Sequence, residues 1–123
     1  MATLALAGFK ARRAPYEAVL DPVHFHHVSP AFAKRFQLPD ETEEQYVERL
    51  RKELEDKFIE LGGNTVIAFV AETVVGAVAG CVPPPKGYFP AMKSVCDKYG
   101  ALFILDEVKL FLSAHCFELM LNA

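Results

Sequence analysis

Ala101-Leu-Phe-Ile-Leu-Asp-Glu-Val108 is the stretch on which the reading of this chain turns. Five apolar residues are too few for a helix core, but they suit a β-strand covered on both faces. The run ends in two adjacent carboxylates, Asp106 and Glu107. In open α/β sheets ligands sit just beyond the carboxyl ends of such strands. The two acids therefore stand where chemistry is expected.

Working outward, Gly100 closes a segment, residues 87–99, in which Phe89, Met92, Val95, Cys96 and Tyr99 recur at helical spacing. Before it, residues 73–85 carry Gly76, Gly80 and Pro83–Pro85 and read as a loop. Earlier still, Thr65–Ala71 (Thr-Val-Ile-Ala-Phe-Val-Ala) is rich in β-branched residues, reads as a second strand and runs into Glu72. Strand, loop, helix and strand make a parallel βαβ unit, with strands over about 65–71 and 101–106. Both strands then finish on one edge, so Glu72 and Asp106 are expected to face one site. Two strands do not make a sheet buried on both faces. Either the long loop supplies others, or the unit belongs to something larger.

Residues 42–61 carry the clearest helix signal. Thr42 and Gln45 match the capping-box spacing, and Tyr46, Leu50, Leu54, Phe58 and Leu61 form one apolar stripe. Gly62 and Gly63 stop it. Residues 2–13 read as a first helix ending near Pro15. From Pro15 to Pro39, four prolines and three histidines mark a long irregular connection, uncommon unless functional or disordered.

The bulk properties bound the function. The chain has 123 residues, 52% of them hydrophobic and 24% charged, which fits one globular domain rather than disorder. A net charge of −3 offers no electrostatic reason to expect nucleic acid. No apolar run approaches the roughly 20 residues that span a bilayer, so no membrane partner is expected. Cys81, Cys96 and Cys116 are odd in number and widely spaced, as free thiols in a reducing compartment are. Cytoplasm is the default location. Lys10, Arg12 and Arg13, with no acid before Glu17, also match a mitochondrial presequence, or simply a basic helix face.

Other chemistries find little footing. An apolar strand ending in Asp-Glu also describes the Mg²⁺-holding strand of a nucleotidase, but no Gly-Lys-Ser/Thr loop exists to cradle phosphates. His24, His26 and His27 suggest a metal pair on an extended segment, yet a third ligand would have to come from far away. Histidines in a proline-flanked loop more often bond backbone, and no metal is expected. Cys96 falls on an apolar stripe and reads as core. His115 and Cys116 are adjacent, so they diverge on a helix and form no nucleophile–base pair.

Three segments read together resemble the class III pyridoxal-phosphate-dependent aminotransferases. Phe69-Val-Ala-Glu-Thr-Val-Val-Gly-Ala is similar to the family's apolar run, Ala-Glu-Pro-Val and glycine. Gly87-Tyr-Phe-Pro-Ala-Met-Lys-Ser-Val-Cys-Asp-Lys-Tyr-Gly is similar to the helix that follows. Ala101–Val108 looks like the family's Leu-Leu-Ile-Leu-Asp-Glu-Val strand. Upstream, Ala11-Arg-Arg-Ala-Pro-Tyr-Glu and Phe25-His-His-Val-Ser-Pro resemble fungal or bacterial members. The likeness covers about residues 2–108. It implies part of the large domain of a fold-type I pyridoxal-phosphate transferase, an α/β fold with helices flanking the parallel unit. Residues 109–123 read as an apolar tail outside the family.

The resemblance also implies roles. The family aspartate matching Asp106 binds the pyridinium nitrogen of the cofactor through a charge-assisted hydrogen bond. The residue matching Val108 packs on the ring face, and Glu72 matches a glutamate lining the active site. Two departures stand out. Thr73 replaces the usual proline, and Lys109-Leu-Phe-Leu-Ser-Ala-His-Cys-Phe-Glu-Leu-Met-Leu121 replaces a Gly-rich, Arg-containing stretch. Sequence read past a coding boundary would look like that tail. The family's Schiff-base lysine, Gly-Ser phosphate loop and ring-stacking aromatic have no match here, and Lys109, beside the aspartate, cannot replace that lysine. The expectation is a chain that alone neither transaminates nor holds pyridoxal phosphate tightly. The other reading is a non-enzymatic fragment that pairs with itself or with a full-length relative, since the family builds its sites at dimer interfaces.

Overall fold

A computed structural model describes residues 2–76 and 79–108. The order is α1 (Ala2–Leu6), α2 (Lys10–Arg13), a 3₁₀ turn (Ala14–Val19), α3 (Ala33–Phe36), α4 (Glu43–Leu61), a second 3₁₀ turn (Gly63–Thr65), β1 (Ala68–Glu72), α5 (Tyr88–Tyr99) and β2 (Leu102–Asp106). The expected apolar tail, residues 109–123, lies outside the described residues.

The core is built where the sequence carries its two best helices. Thr42 caps α4 through a complete capping box: its hydroxyl accepts the Gln45 N–H at 3.2 Å, and Gln45 Oε1 accepts the Thr42 N–H at 2.9 Å. The helix then buries Tyr46, Val47, Leu50, Leu54 and Phe58 against Tyr88, Met92, Val95 and Cys96 of α5. Each large side chain so buried contributes about 1.5–3 kcal/mol. Charged residues fill the outer face of α4, where Arg51 bridges Glu48 and Glu55, and Lys98 reaches across from α5 to Glu55. Helix α5 ends at Gly100, whose left-handed φ of 71° lets its N–H turn back toward the carbonyls of Cys96 and Asp97.

β1 and β2 pair in parallel, in the register Ala68↔Leu102 to Glu72↔Asp106. Period-2 alternation then sorts the side chains into two faces. Phe69 and Phe103 stack with centroids 6.1 Å apart, and Phe89 of α5 meets Phe103 edge-on at 6.3 Å, so this face is covered by α5. The other face carries Ala68, Val70, Leu102 and Ile104. Here the expectation of a strand covered on both sides fails: Leu102 is 61% exposed and Ile104 44%. The sheet has two strands among the described residues, and the long loop contributes none to it. A single crossover helix can shield only one face.

Three further differences are local. The first helix breaks at residues 7–9, around Gly8, into α1 and α2. β1 begins at Ala68 rather than Thr65, because the Thr65 hydroxyl donates to the carbonyls of Leu61 and Gly62 and belongs to the helix end. The proline-rich connection is also more ordered than its composition implies. Tyr46 donates its hydroxyl to the Pro30 carbonyl at 2.7 Å and accepts the Phe32 N–H, while Glu53 accepts the Ser29 N–H at 2.8 Å.

Candidate active site

The two strands end together, and Glu72 and Asp106 are direct register partners on the open face of the sheet. The shared edge expected from the βαβ reading is therefore present. Each carboxylate uses one oxygen to hold the turn that follows its strand. Glu72 Oε2 accepts the Gly76 N–H at 3.1 Å, and Asp106 Oδ1 accepts the Val108 N–H at 3.0 Å. Asp106 thus also does what a turn-capping acid does. Its Oδ2 has no partner among the described residues, and the residue is exposed. Val108 sits just beyond, with 79% of its surface open. Asp106, Glu72 and Val108 are accordingly grouped at one strand end, with the second oxygen of each carboxylate and one apolar side chain exposed there.

Behind this edge lies Thr73, a departure from the family pattern to which the sequence alone attaches no role. Thr73 is fully buried, and both its N–H (3.0 Å) and its hydroxyl (3.1 Å) donate to the backbone carbonyl of Asp106. The signal available was the substitution itself: a threonine has two donors where proline has none. After Thr73 the chain forms a narrow turn, in which Val75 and Val82 pair as an isolated antiparallel bridge. Gly76 then receives Ala79, Gly80 and Cys81 N–H groups on its carbonyl.

The histidines do not converge. His24 pairs with Asp21 at 2.7 Å, His26 bonds the Val23 carbonyl, and His27 approaches the Leu6 carbonyl and Arg13. Among the described residues no group of three or more potential ligands gathers around one point. Cys96 is buried in the helix core, as its stripe position implied, and burial pushes its thiol pKa up, away from the reactive thiolate. Among the described residues, no helix is long and apolar enough to cross a membrane.

A parallel βαβ unit with acids at its carboxyl edge is a ligand-facing arrangement common to many α/β enzymes. Comparison narrows it. The family model for class-III aminotransferases matches residues 2–112, past the boundary at Val108 that the local motifs suggest, and the chain belongs to that family. It is 53% identical over 105 residues to an uncharacterised aminotransferase of Schizosaccharomyces pombe, covering 85% of this chain and 23% of that protein. An aminotransferase of Gibberella zeae is 51% identical over 108 residues, 88% of this chain and 21% of that one. The solved omega transaminase of Pseudomonas jessenii in complex with PMP superposes with a TM-score of 0.81 at 36% identity, covering 87% of this chain and 23% of that chain. The fold is thus that of a fold-type I transaminase, in part. The chain spans under a quarter of the length of these relatives.

Proposed function

We propose that this chain supplies the ring-nitrogen side of a pyridoxal-phosphate site, in a family whose reaction moves an amino group from an amine or amino acid to a keto acid. The observation that carries this is the Oδ2 of Asp106 at the carboxyl end of β2, which has no partner among the described residues, beside an oxygen already fixed by the Val108 N–H. The fit to the cofactor is specific to one part of it. A carboxylate held by one bond and open at the other accepts a pyridinium N–H, and keeps that proton in place through a charge-assisted contact. The neighbouring Glu72 adds negative potential on the same sheet face, which favours a cationic ring nitrogen. The exposed Val108 side chain offers an apolar surface against which a flat ring can rest.

Pyridoxal phosphate, when bound, supplies an electron-accepting ring that stabilises charge at the substrate carbon. Asp106 favours this by retaining the ring proton. The residues that resemble the family motifs include no Schiff-base lysine and no phosphate loop, so this chain by itself lacks the nucleophile.

The test uses the 123-residue chain with pyridoxal phosphate. The expected result is weak binding that shifts the Asp106 carboxylate carbon resonance, is lost in Asp106→Asn, and yields no single-site adduct with borohydride. A stoichiometric adduct at one lysine would overturn the assignment, and so would binding that is indifferent to Asp106→Asn.

A further inference from the structure

We infer that Thr73 is a positioning residue for Asp106, fixing the strand end from which its carboxylate projects. This rests on the reading of Asp106 as the ring-nitrogen partner and deepens it.

The carbonyl oxygen of Asp106 accepts two hydrogen bonds from one residue, the Thr73 N–H at 3.0 Å and the Thr73 hydroxyl at 3.1 Å. The N–H bond extends the β1–β2 ladder one step past its last register pair, Glu72↔Asp106. The hydroxyl bond is additional, and it is made by a fully buried side chain. A buried hydroxyl without a partner is costly, so the rotamer of Thr73 is held by the same contact that holds Asp106. On the other side, the Asp106 carboxylate accepts the Val108 N–H. The residue is therefore fastened through backbone and side chain together, while its Oδ2 has no partner among the described residues.

A proline at position 73 would have neither donor. The Asp106 carbonyl would then lose both of these bonds, leaving the strand end to its last ladder pair with Glu72 and to the Val108 contact.

The geometry has a spectroscopic consequence. While Asp106 Oδ1 accepts the Val108 N–H, the Val108 amide is held back from exchange with solvent. In the full chain, Thr73→Val keeps the shape and the N–H but removes the hydroxyl. It is expected to speed Val108 exchange relative to that of Leu102 at least about two-fold, as the tether loosens, whereas Thr73→Ser restores it. In the unmodified chain the Thr73 amide should exchange as slowly as that of Leu102, which donates to the Ile67 carbonyl at the opposite end of the ladder. A Thr73→Val chain that is less stable to heat but keeps the unmodified ratio of Val108 to Leu102 exchange would overturn the inference. Fast exchange of the Thr73 amide would do so independently, without any variant. Failure of the cofactor reading looks different: pyridoxal phosphate would leave the Asp106 resonance unmoved while the Thr73→Val effect on Val108 persisted.

Discussion

The ring of Tyr99 packs against Gly63, so closely that a β-carbon at Gly63 would stand 2.3 Å from Tyr99 Cδ1. This contact locks the end of α4 to the end of α5, and the same ring meets Phe58 at 5.4 Å. Gly63→Ala must displace the ring or the turn. Overpacking of this kind costs about 1–3 kcal/mol, so the midpoint of thermal unfolding should fall by several degrees, as circular dichroism would show. An unchanged midpoint would mean that Tyr99 turns away freely.

Thr42 offers a milder test of the same helix. Replacing it with alanine deletes the oxygen that accepts the Gln45 N–H and breaks the capping box. The expected loss is about 0.5–2 kcal/mol, read from urea unfolding with an unchanged slope. Leu54→Ala should cost more, about 2–5 kcal/mol, because Leu54 is only 3% exposed at the centre of the α4–α5 contact. Against a total stability of about 5–15 kcal/mol, that change removes a large share, and the unfolding midpoint should fall further than for Thr42→Ala.

Acid should weaken the fold in a defined window. Arg49 bonds both oxygens of Glu41, at 2.7 and 2.9 Å, and this contact with the Leu38 N–H lowers the Glu41 pKa from 4.5 to about 2. A carboxyl depressed in the folded state stabilises above its unfolded pKa, and that contribution is lost as pH falls through the folded one. The Glu41 share therefore declines between pH 4.5 and about 2. Glu41→Gln should be less stable at neutral pH and flatter across the window, with the two curves converging at its acid end. Parallel curves would remove Glu41 from the account.

The open sheet face should govern solution behaviour. Leu102, Ile104 and Val70 form an apolar strip beside strands whose outer edges are unpaired among the described residues. Such surfaces associate. Ile104→Lys places a charge in the strip at a half-exposed position, and should raise the concentration at which sedimentation velocity reports a monomer. No change would show that association, where it occurs, uses another surface.

What could be read from sequence alone follows from how local each signal is. α4 was fully legible, because its cap, stripe and stop all lie within about twenty residues and act on one another. α5 was framed by two glycines in the same way. The strand boundary at Thr65 was misjudged, since a β-branched residue suits a strand as well as a hydroxyl bridge to a helix end. The open face of β2 was invisible for a different reason. An apolar run shows that burial is favourable, not whether a covering layer exists. At the site, the edge shared by Glu72 and Asp106 followed from parallel topology, whereas their roles came only through family likeness. The double donation of Thr73 joins the residue just past β1 to the last residue of β2, and no local pattern carries it.

That separation also orders events in time. Thr73 and Asp106 stand 33 residues apart, and every bond of the β1–β2 ladder spans a similar distance. Loops of this length must close before any such bond can form, whereas helical turns close at once. Folding should therefore begin in α4 and α5 and end at the sheet. The carboxylate pair at the strand ends is then among the last features assembled as the chain folds, and the first to come apart when it opens.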